Sequence, residues 1–243
     1  MKDILDVHTH TIASGHAYST IRENITAAKS AGLELIGISD HAPKMPGSCH
    51  DFYFLNMEVI PRDAYGIKLV MGAELNILDY SGSTDLPAQI LKKLDYAIAS
   101  LHNPCIDAGS VEENTAAIIG AMKNPAVVII GHPDNPKYPV DFDKIALAAK
   151  ENGVLLEINN SSYKSTGYRA GSEENAKLML KACKKYNTEI IMGSDAHIDF
   201  DVGNHKYSQE VIAENHFPEE LVINSSAEKF FEYVSYRKSL APK

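Results

Sequence analysis

Short apolar runs alternate with longer polar segments along the whole chain. Seven runs of five or six residues have the apolar and β-branched content of buried strands, and each precedes a segment with helical features. The predicted strands are Asp3–His8, Leu35–Ser39, Lys68–Ala73, Tyr96–Leu101, Val127–Gly131, Val154–Ile158 and Glu189–Gly193. The pattern therefore predicts seven consecutive strand–helix units.

The segments between these runs carry local signals for helix ends. Ser110 and Glu113 are spaced as a capping box, and Pro87 suits the first turn of a helix. Gly32 and Gly153 stand where left-handed residues commonly end helices. The helices are therefore predicted from capping chemistry as well as from hydrophobicity.

Two later helices are predicted in the same way. Ser172 precedes a segment whose apolar positions share one helix face, namely Ala176, Met179, Leu180 and Cys183. A last helix is expected from about Ala227 to Ser239, after the capping pattern of Ser225 with Glu228. We expect this last helix to close the fold.

Polar residues follow nearly every predicted strand. Alternating strands and helices predict an α/β fold with a parallel sheet, either open or closed. A closed, TIM-like barrel explains the polar strand ends better than an open sheet does, because a barrel gathers the carboxyl ends of its strands on one face. We expect one domain over residues 1–243, with the irregular stretch Ala42–Tyr65 as a lid or wall loop.

The composition narrows the class of protein further. Apolar residues make up 44% of the chain, and no run approaches the roughly 18 apolar residues of a membrane span. The amino-terminal segment lacks the features of a secretory signal, so we expect a cytoplasmic protein that does not enter a membrane. The formal charge of −9 disfavours a nucleic-acid partner on electrostatic grounds, and assembly into a homo-oligomer is compatible with the sequence.

Cysteine is not part of the predicted chemistry. Cys49, Cys105 and Cys183 are far apart and form no CxxC motif. They therefore predict neither a disulfide framework nor a thiolate zinc site.

Histidines and acids are paired at the first and last predicted strands. The segment DVHTH places His8 and His10 two residues apart, and GSDAH places Asp195 and His197 at the same spacing. Because side chains alternate along an extended strand, residues two apart point to one side. Each pair can therefore contact one ion.

Single polar residues complete a set of nine candidate metal ligands. Of the ten histidines, seven lie at predicted strand ends or in the loop just after one, a distribution that chance does not explain. The remaining histidines are His216, expected at the surface, and His50 and His205, which could line a pocket. The candidate ligands are His8, His10, His16, His41, Glu74, His102, His132, Asp195 and His197.

The donor set indicates the metal. Imidazole and carboxylate ligands without thiolate suit Zn²⁺, with Fe²⁺, Mn²⁺ or Co²⁺ as alternatives. Nine ligands are too many for one tetrahedral ion. The sequence therefore predicts a site for several divalent cations.

The order of these motifs resembles that of the PHP (polymerase and histidinol phosphatase) superfamily over the whole chain. The small single-domain YcdX-type phosphatases are the most similar branch, since HAYST from His16, NPKY from Asn135 and EINNSS from Glu157 also match. The resemblance implies a distorted (βα)7 barrel with three divalent metal ions. It implies one ion on His8, His10, Glu74 and Asp195, a second on Glu74, His102 and His132, and a third on His16, His41 and His197.

Charge and ligand type favour a phosphatase. Three divalent ions with Glu74 and Asp195 would give a pocket of formal charge about +4. Such a pocket suits the hydrolysis of a small phosphate monoester. The alternatives are a phosphodiesterase or exonuclease, a histidinol phosphatase, and a metal-binding module without catalytic activity.

Other residues are assigned more specific roles. Glu74, Asp195 and Asp40 are the candidate catalytic residues, and Asp40 and Asp134 could orient imidazoles or deliver a proton. Arg169 and His50 are the candidates for substrate contact. For Asp40 and Asp134 the competing structural interpretation is a role in a turn or helix cap, and for Arg169 it is a solvated charge.

Overall fold

A parallel barrel of seven strands forms the centre of the protein. The computed structural model describes residues 2–63, 65–164 and 169–241. The strands are hydrogen-bonded in chain order, β1 to β7, and every pairing is parallel. Their bounds are β1 Leu5–Asp6, β2 Leu35–Ile38, β3 Lys68–Asn76, β4 Tyr96–Ser100, β5 Val127–Ile130, β6 Leu155–Asn159 and β7 Ile190–Gly193.

Contacts between the first and last strands bring the sheet close to closure. Beyond β1 and β7, Thr9 bridges Ala196 in parallel, and the backbone N–H of His10 donates to Ala196 at 2.8 Å. Nearer the amino ends, the buried Asn224 amide donates to the carbonyls of Leu5 and Met192 at 3.1 and 3.0 Å. The predicted distorted (βα)7 barrel of TIM-like form is therefore confirmed.

Eight α-helices surround the barrel within the described residues. Two helices begin with capping boxes, one of Ser110 with Glu113 and one of Thr20 with Glu23, and a third ends at Gly153 in a left-handed conformation. The helices are α1 Ile21–Ser30, α2 Asp51–Leu55, α3 Ala88–Leu91, α4 Val111–Ala121, α5 Phe142–Asn152, α6 Ser172–Tyr186, α7 Lys206–Glu214 and α8 Ala227–Ser239.

Apolar side chains fill the end of the barrel that holds the amino ends of the strands. Tyr96 lies in the interior, where Gly37 and Gly72 leave room for its ring, and its hydroxyl donates to the carbonyl of Val7. Phe230 of α8 packs edge-on against Tyr96, with 5.5 Å between the ring centroids. The last helix therefore closes this end, as the sequence predicts.

Four local predictions need correction. Strand β1 spans only Leu5–Asp6 rather than Asp3–His8, so His8 lies beyond it. Strand β3 runs to Asn76 rather than Ala73, so Glu74 lies within the strand. Helix α8 is capped by Ser226, which accepts from the N–H of Lys229, and not by Ser225. The stretch Ala42–Tyr65 is not irregular throughout, because it contains α2 and a short 3-10 helix, Asn56–Val59. Separately, none of the described helices has the length and apolarity needed to cross a membrane.

Candidate metal centre

Alternation along the strands explains why polar groups meet at the other end of the barrel. Leu35 of β2 lies in the apolar interior of the barrel. His41 follows six residues later, an even spacing that keeps its side chain on the same face, and lies at the mouth. In β3 the same inward row leads from Val70 through Gly72 to Glu74. The strands therefore carry apolar residues to one end of the barrel interior and ligand-forming residues to the other.

Glu74 lies at the centre of the cluster and is fully buried. Its Oε2 is 2.7 Å from Nδ1 of His41, and its Oε1 is 3.1 Å from Nε2 of both His102 and His132. Nε2 of His8 is 3.5 Å from Oε1, and Nε2 of His10 is 3.6 Å from Oε2. One carboxylate therefore faces five imidazoles.

Asp195 forms a second point of convergence. Its Oδ1 is 3.2 Å from Nε2 of His10, 3.5 Å from Nδ1 of His197 and 3.7 Å from Nε2 of His8. His16, in the loop after β1, is exposed, and its ring lies 4.8 Å from that of His197. All nine candidate ligands are thus in one cluster.

Three overlapping groups of side chains each bring three donor atoms within 4.8 Å of one another. They match the predicted division of ligands only in part, because His10 takes the place of His16 in one group and His41 takes that of His132 in another. The division among individual ions therefore stays a prediction. The groups are His8, His10 and Glu74; His41, Glu74 and His102; and His10, His41 and His197.

Hydrogen bonds donated by Nδ1 fix how the first two histidines face the cluster. Nδ1 of His8 is 2.6 Å from Oε1 of Glu157, and a carboxylate oxygen can only accept, so His8 donates through Nδ1. Nδ1 of His10 is 3.1 Å from the hydroxyl of Ser14, whose proton is donated to Asp40. Both histidines therefore present Nε2 to the cluster.

The histidines after β4 and β7 follow the same rule. Nδ1 of His102 lies 2.7 Å from Oδ1 of Asn76, whose amide nitrogen already donates to Asp85 and to the carbonyl of Ala42. Nδ1 of His197 lies 3.0 Å from the carbonyl of Asp195. Both imidazoles donate through Nδ1, which leaves Nε2 as an acceptor.

Several buried nitrogen and oxygen atoms that could bind a metal ion have no hydrogen-bond partner. Their arrangement shows whether the site fits metal ions. A buried polar atom without a partner costs free energy, so a concentration of such atoms requires an explanation. Lone pairs of imidazole and carboxylate aimed at shared points are what a divalent cation binds. The cluster atoms without a hydrogen bond are Nε2 of His8, His10 and His102, together with Nδ1 of His41 and Oε2 of Glu74, which approach each other without hydrogen-bond geometry.

The carboxylates of the cluster are held in their ionised form. Burial alone would raise the pKa of Glu74, but His102, His41 and His8 outweigh it and lower the pKa well below its usual value. Burial likewise opposes ionisation of Asp195, but the neighbouring His8, His10 and Arg169 lower its pKa well below the usual value. Ionised carboxylates are the form that binds cations.

The imidazoles respond to the same field in different ways. Burial, and then the neighbouring His41 and His197, lower the pKa of His10 well below its usual value, so it stays neutral as a ligand must. Burial opposes protonation of His8, but Glu157 and Glu74 raise its pKa well above the usual value. The carboxylates around His8 therefore favour a positive charge at its Nε2, which either a proton or a metal ion can supply.

Two of the candidate ligands have backbones in the left-handed region. His132 has φ 33° and precedes Pro133, and Asp195 has φ 53°. Residues with side chains rarely adopt such angles, and the strain of such positions, on the order of 1–3 kcal/mol, is typical of functional sites. The fold therefore accepts strain at the points where two strand ends turn into the site.

The sixth strand contributes two functional positions that sequence reasoning missed. The buried Glu157 binds Nδ1 of His8 and accepts from the N–H of His132 at 2.8 Å. Asn159 donates to Oδ2 of Asp195 at 3.3 Å. The sequence signal for Glu157 is an acid within an apolar run, two positions beyond the inward-facing Leu155 and before the end of the strand.

Arg169 lies at the mouth beside Asp195. Its Nη1 is 3.1 Å from Oδ2 of Asp195, and 3.3 Å from both Oδ1 of Asn159 and the hydroxyl of Ser162. The side chain is 20% exposed. The interpretation as a freely solvated charge is therefore wrong, while the predicted contact with substrate stays a prediction.

The other predicted residues lie outside the cluster. His50 is exposed and caps α2 by accepting from the N–H of Phe52 at 3.2 Å. Asp134 accepts from the hydroxyl of Tyr163 at 2.6 Å, and burial raises the pKa of Asp134 to about 7. His205 does not line the mouth, because it is buried near the start of β1.

Asp40 does not contact the metal-ligand atoms directly but is joined to His10 through Ser14. Its Oδ1 accepts from the hydroxyl of Ser14, which in turn contacts His10. Of the two predicted roles, this position favours orienting an imidazole over delivering a proton. The role itself stays a prediction.

Known proteins are similar to this chain over most of its length. The PHP domain profile matches residues 6–161. A probable phosphatase of Clostridium novyi (strain NT) is 48% identical over 240 residues, which cover 99% of this chain and 98% of the relative. A probable phosphatase of Thermoanaerobacter sp. (strain X514) is 51% identical over 239 residues, with 98% and 97% covered.

A solved structure has the same fold. The histidinol phosphate phosphatase of Lactococcus lactis subsp. lactis Il1403, in complex with zinc, L-histidinol and phosphate, aligns with a TM-score of 0.58 at 18% identity, covering 90% of this chain and 95% of that one. This similarity supports the fold alone. From the profile match and the relatives that are about half identical to it over nearly the whole length, this chain belongs to the PHP domain family.

Proposed function

We propose that the protein is a phosphatase that uses divalent metal ions to hydrolyse small phosphate monoesters. One observation carries the proposal: buried donor atoms without partners converge around Glu74 and Asp195 at the mouth of the barrel. The names of the relatives, probable phosphatases, support the reaction class. The resemblance to PHP enzymes supplies the number of three ions.

The ligand chemistry favours zinc. Seven imidazoles and two carboxylates, with no thiolate among them, suit Zn²⁺ first and Mn²⁺ or Fe²⁺ as alternatives. When bound, such ions polarise the oxygens of a phosphate ester and lower the pKa of a water molecule so that it can attack phosphorus. The residues of the chain must hold the ions, bind the phosphate and admit the substrate.

Each part of the site has a proposed role. Glu74 and Asp195 supply the negative charge that holds neighbouring cations together, and the imidazoles supply neutral donors. Arg169, close to Asp195 and partly exposed, is placed to bind a phosphate oxygen with its planar fork of donors. His50, exposed at the start of α2, is the candidate for contact with the rest of the substrate.

A small substrate fits the distribution of charge. The chain carries a formal net charge of −9, which opposes long-range attraction of a polyanionic nucleic acid. A metal-loaded mouth would be positively charged only locally, at about +4 by formal count. We therefore infer a small phosphorylated metabolite as the substrate.

The test is hydrolysis by protein loaded in turn with Zn²⁺, Mn²⁺ and Fe²⁺. We expect turnover of p-nitrophenyl phosphate and little turnover of bis(p-nitrophenyl) phosphate, with L-histidinol phosphate as a second monoester. His8→Ala and Asp195→Asn should lower kcat at least a hundredfold, because each removes a proposed ligand. His216→Asn, at an exposed histidine, is the matched control and should keep full activity.

The outcomes separate the alternatives. Faster hydrolysis of the diester would favour a phosphodiesterase. Metal binding that raises the melting temperature without turnover of any phosphate ester would indicate a metal-binding module. Full activity in either ligand variant, at measured metal content, would contradict the proposed site.

A further inference from the structure

A chain of hydrogen bonds joins helix α2 to the metal centre. The hydroxyl of Tyr53 donates to Oδ2 of Asp40 at 2.6 Å, and Oδ1 of Asp40 accepts from Ser14 at 2.7 Å. Ser14 is 3.1 Å from Nδ1 of His10. We call Tyr53, Asp40, Ser14 and His10 the Tyr53 relay.

The carboxylate at the middle of the relay is saturated. In addition to Tyr53 and Ser14, Asp40 accepts from the backbone N–H of Thr11 at 2.7 Å and from its hydroxyl at 2.9 Å. Two oxygens therefore accept four hydrogen bonds, which uses the acceptor capacity of an ionised carboxylate. Asp40 is held as an acceptor and has no lone pair to offer a metal ion.

Ser14 connects Asp40 to two proposed ligands, His10 and His41. Because its proton goes to Asp40, its oxygen can only accept from its other neighbours. It accepts from Nδ1 of His10 and, at 3.1 Å, from the backbone N–H of His41. The relay therefore sets the tautomer of one histidine and the backbone position of another.

We propose that Tyr53 is a positioning residue of the metal centre, acting through Asp40 and Ser14 to hold His10 and His41 ready for metal. The inference rests on the proposed metal-dependent function. Without the hydroxyl, Oδ2 of Asp40 loses a donor in a buried site and the carboxylate turns toward another one. Ser14 then follows Asp40 and no longer fixes Nδ1 of His10.

The test is Tyr53→Phe, which removes the hydroxyl and keeps the ring. The dissociation constant for Zn²⁺ is measured by competition with a chromophoric chelator, and the visible spectrum of the Co²⁺-loaded protein reports ligand geometry. We expect zinc affinity to fall about tenfold or more, as for other residues that orient metal-binding histidines, with a changed Co²⁺ spectrum. Ser14→Ala should lower the affinity at least as much.

The matched control is Tyr233→Phe. The hydroxyl of Tyr233 also donates to a carboxylate, Oε2 of Glu189 at 2.7 Å, but it lies on α8. The control should keep the affinity and spectrum of the natural protein.

If the natural protein binds zinc and both Tyr53→Phe and Ser14→Ala bind it equally well, the inference is overturned and the proposed function stays intact. An equal loss in Tyr53→Phe and Tyr233→Phe would also overturn it, because the effect would then be general destabilisation. Natural protein that binds none of Zn²⁺, Mn²⁺ or Fe²⁺ would overturn both proposals.

Discussion

At the scale of single residues, the site depends on acceptors behind the histidines as much as on the histidines. His8, His10 and His102 each direct Nδ1 toward an acceptor and Nε2 toward Glu74. A free imidazole has two tautomers, and only one of them offers Nε2 as a ligand. The acceptor therefore selects the ligand form before any ion arrives.

Glu157 provides a direct test of this selection. Its two oxygens accept from Nδ1 of His8, the N–H of His132 and the amide of Asn159. Glu157→Gln leaves one acceptor oxygen and turns an NH₂ group toward one of these donors. We expect metal affinity to fall about 10- to 100-fold. Nitrogen-15 NMR of the His8 ring should report a loss of the fixed Nδ1–H form.

The matched control for this variant is Glu173→Gln, an exposed acid in the first turn of α6. It makes the same chemical change away from the cluster and should bind metal normally. Unaltered metal affinity in Glu157→Gln would show that the histidine is oriented without this carboxylate.

At the scale of elements, α8 holds together parts of the chain that are distant in sequence. Its buried Arg237 donates to the carbonyls of Val127 and Asn152 at 2.9 and 2.6 Å, and to those of Met122 and Asn124 at 2.6 Å each. Met122 and Asn152 lie at the carboxyl ends of α4 and α5, where the helix dipoles favour positive charge. The guanidinium therefore satisfies carbonyls that the helices leave without partners.

Replacing Arg237 tests this contribution to stability. Arg237→Met keeps much of the apolar stem but leaves four carbonyls without their donor. We expect the free energy of unfolding to fall by roughly 3 kcal/mol or more, measured by chemical denaturation. Lys238→Met, at an exposed cation next along the same helix, should change it by less than about 0.5 kcal/mol. Similar losses in both variants would contradict the role of Arg237.

At the scale of the whole molecule, a buried histidine makes stability depend on pH. Nδ1 of His205 is 2.8 Å from Oδ2 of Asp3, and its Nε2 is 3.6 Å from Oδ1 of Asp6. Burial opposes protonation, but Asp3 and Asp6 outweigh it and raise the pKa of His205 to about 10. The charged histidine therefore joins the residues before α7 to the start of the chain.

The raised pKa predicts stability that is lost in alkaline solution. A group whose pKa is higher in the folded state stabilises fully below its unfolded value, about 6.5, and loses the contribution as the pH rises through about 10. In His205→Asn, which keeps a donor without the charge, the loss of stability should be largest near pH 6, up to about 5 kcal/mol, and should shrink toward pH 10. His216→Asn is the control, and a pH-independent loss in His205→Asn would contradict the assignment.

The barrel could be predicted from the sequence because each strand is recognised from the apolar pattern of neighbouring residues. All seven strands and the helix of Ala227–Ser239 lie where the apolar pattern indicates, since burial on both faces requires continuous apolar runs. The capping box of Ser110 and Glu113 has the predicted form because it involves only neighbouring residues. Strand ends were less accurate, because pairing with neighbouring strands decides where β3 stops.

The sequence by itself determined the residue types and their order: histidines and acids at the ends of apolar runs, which indicate a metal centre in a PHP-type barrel. Only the tertiary structure decided which atoms face one another. Glu157 joins His8 across 149 residues of sequence, and Asp40 joins Tyr53 to Ser14. The physical reason is that hydrogen bonds depend on distance and direction, which closure of the barrel sets and which no local pattern records.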